Sequence, residues 1–394
     1  MFKPKLGKIN TSAFQGLGSM RPSGFPLSVD FGVGSLKILQ LAAGDTPSIA
    51  SAVQLDTPDD LLDNPGRRLA FQIEALPKLL KQGKFKTNRA VCAVPIGQMI
   101  CKHIQIIPSD DLPLDKAAAA QIGAQLGCDP GTLLVRCRVI DGAKTNGKRE
   151  VVCFAAARDF VGRLMGALKG AKLEPVGIHN EFASALRSID GIAMPGQASS
   201  ETDGTPTLVL DLGAGSTKAI IAHGSRLVFA RSIEMGARQM DDVIAHQLRC
   251  TVHEARATRM GLERLTPRPV TVVAGGVGAR EEAAPVMPVR PVGPEPDLTE
   301  PLEILVDEAS MCLRYHKSLF PDRPVEKVVF LGGQSRQRLV CEHLARSLRL
   351  AAQSVDPLAR LARSGKVPCE GVDVTAPQPG WACAVGMCLS PTDL

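Results

Sequence analysis

The residues best suited to chemistry lie in Asp211-Leu-Gly213-Ala-Gly215-Ser216-Thr217-Lys218, at the end of the apolar run 207–212. That run reads as a buried strand presenting a carboxylate near its end. Gly213 and Gly215 let the chain turn tightly, so that backbone N–H groups can approach an anion. Ser216, Thr217 and Lys218 add hydroxyl donors and a point charge. A carboxylate beside phosphates makes sense once a divalent cation stands between them, which makes Asp211 a ligand of the metal or of its water. Turns of the dinucleotide-binding and Walker kinds open a helix. Here 219–222, a His223-Gly224-Ser225 turn and 226–233 read as two more strands, so the element is a phosphate hairpin in an antiparallel meander.

The pattern occurs twice. Asp30-Phe-Gly32-Val-Gly34-Ser35-Leu-Lys37 repeats the Asp, both Gly, the Ser and the Lys, again between strands. An internal repeat of this kind predicts two homologous domains facing each other across a cleft, each giving one turn to the same triphosphate, with Asp30 and Asp211 toward the metal. A third turn follows the apolar strand 327–331. Its Gly332-Gly333-Gln334-Ser335-Arg336 leads into an amphipathic helix. A glycine pair at such a junction lets backbone lie flat against a base or ribose, and a helix N-terminus favours negative charge.

These elements need positioning. Residues 67–82 predict an amphipathic helix that Pro77 should kink or end. Residues 95–172 read as a compact βαββα unit without phosphate chemistry, and 235–248 and 253–260 as two further helices. Two helices rich in small residues, one opening at Asn180-Glu181 and one at 380–388, suit a close crossing that acts as a hinge. Residues 1–25 carry four basic and no acidic side chains among Gly, Ser and Pro, and 266–301 is dense in Pro and Gly; both read as disordered.

Composition narrows the class. The 394 residues allow two domains with real cores, and the net charge of +6 is modest. One Trp and one Tyr offer few stacking platforms, so no nucleic-acid partner is expected. Eleven Cys without CxxC spacing, including Cys92, Cys153, Cys312 and Cys383, read as small buried hydrophobes of a reducing compartment. The seven His show no ligand spacing, and His246, His253 and His316 are expected as ordinary surface or partly buried residues. No run approaches transmembrane length and no signal-peptide core is evident, so the protein is expected in the cytosol.

The order DxGxGxxK, DxGxGSTK and then Gly-Gly resembles the actin, Hsp70 and sugar-kinase superfamily. From about Pro26 onward the chain resembles the PilM family of type IV pilus assembly proteins, relatives of FtsA, chiefly through the placement of the 95–172 insertion. The resemblance implies an α/β, duplicated ribonuclease-H-like, actin-type ATPase fold. Domain I would comprise 26–95, 173–205 and 372–394, the inserted 1C subdomain 96–172, and domain II 206–371. It implies ATP or ADP with Mg2+ as ligand and at most slow hydrolysis. Glu181 would then position water or act as base, although a glutamate there also suits the helix macrodipole. Gly236, Gln239 and Arg259 would lie near the nucleotide with Gln334 and Arg336, whereas Arg256 stands where relatives often carry an acidic residue. The implied partners are the cytoplasmic N-terminal peptide of a PilN-like bitopic membrane protein, the pilus inner-membrane platform and the motor ATPases, with membrane association only through them. The alternatives are a small-molecule kinase of the same superfamily and an FtsA-like, membrane-associated filament protein.

Overall fold

A computed structural model describes residues 24–44, 46–108, 111–143, 147–190, 204–262, 296–362 and 367–390. The expected N-terminal tail, apart from its last two residues, and most of the Pro-rich segment lie outside them.

Two sheets of one topology carry the chain. In the first, β1 (Leu27–Phe31), β2 (Ser35–Ala42) and β3 (Ser48–Asp56) form an antiparallel meander. Beside β1, β4 (Arg89–Val94) and then β8 (Glu174–Asn180) run parallel. In the second, β9 (Pro206–Leu212), β10 (Thr217–His223) and β11 (Arg226–Ile233) make the meander, with β12 (Lys327–Leu331) and β13 (Ala351–Ser354) parallel beside β9. The orders β3-β2-β1-β4-β8 and β11-β10-β9-β12-β13 therefore match strand for strand, and β14 (Cys369–Glu370) extends the first sheet at β3. Every residue of β1 and β10 is buried, the signature of central strands covered on both faces.

Between β3 and β4 runs α1 (Pro65–Gly83), capped by Asn64, whose side chain accepts from the Arg67 amide at 3.0 Å. The helix does not end at Pro77 but continues through it to Gly83. The lost hydrogen bond is offset by Leu76 and Leu79, buried in the core cluster of the first sheet. Residues 96–172 supply β5 (Ile100–Ile106), α2 (Leu114–Leu126), β6 (Leu133–Val139), β7 (Arg149–Ala157) and α3 (Arg158–Gly170). The strands form a sheet of their own, β5-β7-β6, over Ile104, Ile122 and Val151. Helix α3 instead packs Phe160, Leu164 and Leu168 into the core of the first sheet.

The two small-residue helices are α4 (Glu181–Asp190) and α9 (Ala382–Cys388). A Cβ on Gly386 would lie 1.7 Å from the Ser184 carbonyl oxygen, so the crossing is as close as the small residues predict. The second half adds α5 (Ala237–Leu248), α6 (Val252–Leu262), α7 (Thr299–Leu319) and α8 (Arg338–Leu348). Helix α7 starts inside the segment expected as loop, because Pro301 falls in its first turn, where no amide donor is needed. Leu358 and Leu361 already pack with Leu39 and Trp381 on the first half's side, upstream of residue 372. No helix among the described residues is long and apolar enough to cross a membrane.

The four cysteines named above are buried thiols. His316, expected at the surface or partly buried, is fully buried, with its Nε2 2.8 Å from Nε2 of His223. Burial, reinforced by Arg323, holds both rings down at about 4. Unfolded histidines take a proton near 6.5, so this stabilisation is present above that pH and is lost as pH falls toward 4. The loss is about 3 kcal/mol per ring at most. The melting temperature is expected to drop across this window, and His316→Leu to flatten part of the drop; identical profiles for both proteins would refute the assignment.

Candidate functional site

Both hairpins close in one register. Asp30 pairs with Lys37 and Phe31 with Leu36 in the first; Asp211 pairs with Lys218 and Leu212 with Thr217 in the second. Each repeat thus sets its carboxylate beside its lysine on neighbouring strands. The nitrogen–oxygen distances are 4.0 Å for Lys37 and Asp30 and 3.0 Å for Lys218 and Asp211. The Gly213 amide donates to Ser216 O at 3.0 Å, and a Cβ on Gly213 would come within 2.7 Å of that oxygen. Side-chain-free backbone is what lets the turn close. Gly32 faces the Ser35 carbonyl in the same way. Ser35 and Ser216 are buried in the turns. Thr217 departs from its expected part, since its buried hydroxyl donates to Met235 O at 2.7 Å.

The turns point at each other and touch. A Cβ on Gly34 would stand 3.2 Å from Ala214 Cβ, and one on Gly215 3.1 Å from Val33 Cγ2. Lys218 spans the halves, bonding Glu181 Oε2 at 2.8 Å as well as Asp211. The other Glu181 oxygen accepts from the Ile96 amide at 2.9 Å. Glu181 therefore opens α4 with one bond on each oxygen, which fixes the orientation of its carboxylate. Burial lowers the Lys218 pKa, but Asp211 and Glu181 more than offset this and hold it well above its ordinary value. Burial pushes Asp30 up to about 6 against the pull of Lys37, so a cation placed beside it would favour its charged form.

The third turn abuts the second. Gly332 has φ 85°, and a Cβ there would lie 2.3 Å from Leu212 O and 2.5 Å from Asp211 Oδ1. A Cβ on Gly333 would meet nothing within 4 Å, so this residue offers a bare face. Gly236 packs on the second turn, 2.7 Å from Ala214 O by the same measure, and its amide donates to Gln239 Oε1 at 2.9 Å. Gln239 Nε2 donates to Gly215 O at 3.3 Å. Arg259 is 3% exposed, grips Asp241 through Nε at 2.5 Å and bonds the Gln334 side chain. Arg336 turns to Gln378 Oε1 at 2.6 Å. Two glycine hairpins, Glu181, the Gly-Gly turn and α5–α6 are thus brought together. Among the described residues no three His, Cys, Asp or Glu side chains form a ready metal cage.

Sequence reasoning missed Asp241, Asp59 and Asp63. Asp241 had a signal, since it sits on the apolar stripe of α5 with Ala237, Met240 and Ile244. Asp59 and Asp63 lie in an aperiodic acidic stretch and had none.

No family model matches the sequence. Among solved structures, a chain of a PilM-PilN type IV pilus biogenesis complex superposes with a TM-score of 0.69 at 18% identity, over 93% of this chain and 98% of that one. The ethanolamine utilization protein EutJ from Carboxydothermus hydrogenoformans gives 0.47 at 13% identity, over 94% and 90%. MreB5 of Spiroplasma citri bound to AMPPNP gives 0.44 at 12%, over 86% and 94%. At such identities the likeness is one of fold, and the chain has the duplicated ribonuclease-H-like, actin-type ATPase fold that it shares along nearly its whole length with the PilM-PilN structure.

Proposed function

We propose that this chain is a PilM-type scaffold that closes around MgATP and binds the N-terminal peptide of a PilN-like bitopic membrane protein. It would link that peptide, in the pilus inner-membrane platform, to the motor ATPases from the cytoplasmic side. The carrying observation is the pair of facing glycine turns, each with its Asp and Lys in one buried charge cluster, on a fold shared with the PilM-PilN structure. Backbone amides of 32–35 and 213–217 would hold phosphate oxygens, with Lys37 and Lys218 offsetting their charge. Bound magnesium would supply charge neutralisation beside Asp30 and Asp211, taking its remaining ligands from phosphate and water. Asp30, buried and undercompensated, fits that part. The bare Gly333 face suits a base, with Gly236, Gln239, Arg259, Gln334 and Arg336 around it. Glu181, tied to Lys218 and Ile96, suits a slow or idle hydrolase, so nucleotide acts here mainly as a conformational ligand.

Two measurements test this. Gly333→Val is expected to weaken ATP binding at least about tenfold at little changed melting temperature, since an added Cβ meets no protein atom within 4 Å. Undiminished affinity would remove the base from this turn. Anisotropy titration with a labelled N-terminal peptide of a PilN-like protein should show binding that changes with MgATP. No binding in either state overturns the scaffold assignment.

A further inference from the structure

Three side chains of the second half reach one short acidic segment of the first, between β3 and α1. Arg238 Nη2 lies 2.6 Å from Asp63 Oδ2, His253 Nδ1 lies 3.1 Å from Asp59 Oδ2, and Arg256 bonds the other Asp59 oxygen. One exposed ion pair would contribute little. These three come from two helices, α5 and α6, converge on residues 59–63, and bridge the halves beside the touching turns.

Behind them stands Asp241, 1% exposed. It accepts from Arg259 Nε at 2.5 Å and Nη2 at 3.2 Å, and pairs with Arg256 Nε at 3.3 Å. Arg259 continues to Gln334 of the Gly-Gly turn, and Arg256 continues to Asp59 across the cleft. A single buried negative charge therefore serves two guanidinium groups, and Asp59 supplies the second. Opening the cleft would leave Arg256 with only the Asp241 carboxylate, which buried Arg259 already uses. The charge of Arg256 is thus used across the cleft as well as by Asp241.

We propose that Asp241 is a positioning residue that couples the Gly-Gly turn to a clasp made by Asp59 and Asp63 with Arg256, His253 and Arg238, and that this clasp limits how fast nucleotide leaves. The inference rests on the nucleotide reading above. The test uses the whole 394-residue chain. Release of a fluorescent ADP analogue is timed for the parent protein, Asp59→Asn, Arg256→Gln, their double, and Asp241→Asn with and without Asp59→Asn. Small-angle scattering of the nucleotide-free proteins is recorded alongside.

Asp59→Asn is expected to speed release roughly three- to tenfold, less so in high salt, and to enlarge the radius of gyration. The Asp59→Asn/Arg256→Gln double should match the single variants, and Asp241→Asn should erase the effect of Asp59→Asn; a merely supporting role would leave the effects multiplicative. If Asp241→Asn does not fold, the Asp59 and Arg256 cycle decides. Release within about twofold of the parent with unchanged scattering overturns the clasp. A parent protein that binds no nucleotide overturns the nucleotide reading instead, and scattering alone then decides whether the clasp closes the cleft.

Discussion

Gly386→Ala is expected to destabilise the protein by about 3 kcal/mol or more, although helix propensity by itself forecasts a gain of up to about 1 kcal/mol. The two effects have opposite signs, so the measurement separates them. The new methyl group would sit 1.7 Å from the Ser184 carbonyl oxygen and 2.6 Å from its carbon, atoms of backbone that no rotamer change can move. Relief requires α4 and α9 to part. Every residue of α9 is buried, as are Phe182, Ser184 and Ala185 on α4, so parting them opens voids along the whole crossing. Glu181 begins α4, and its bond to Lys218 ties the crossing to the charge cluster, so the variant should also disturb any ligand response. Denaturant unfolding is the check, and a midpoint at or above that of the parent protein would mean that the helices cross elsewhere.

The parts legible in the sequence are those specified locally. Asp30 and Lys37, or Asp211 and Lys218, fall opposite each other because a short glycine turn between period-2 strands leaves one register that keeps β1 and β10 buried. The small residues of 380–388 likewise announced a close crossing. What stayed hidden depends on tertiary neighbours. Lys218 reaches Glu181 from 37 positions away, and Arg256 reaches Asp59 from 197, distances over which no periodicity speaks. Pro77 obeyed the buried leucines around it rather than its own propensity. The full burial of His316 stayed out of sight because its partner, His223, lies 93 positions earlier. Thr217 carried the right hydroxyl for an anion but spends it on Met235, which only the packing of the turn reveals.

Asp211→Ala is expected to abolish magnesium-dependent ATP binding, an affinity loss of at least about a hundredfold, or 2.7 kcal/mol, while the protein stays folded. Asp211 is buried, pairs with Lys218 at 3.0 Å and backs onto Gly332. Removing one partner of a buried ion pair often costs 3–5 kcal/mol because the other charge is stranded. Here it is not stranded, since Glu181 still holds the Lys218 ammonium at 2.8 Å; the stability loss should therefore stay near about 1–2 kcal/mol. Asp211→Asn keeps the shape and removes the charge, so it separates packing from electrostatics. If the carboxylate acts through a metal, both variants bind ATP equally weakly with and without magnesium. If Asp211 only braces the Gly-Gly turn, the asparagine variant should retain the magnesium response of the parent, and the facing hairpins would then need another ligand.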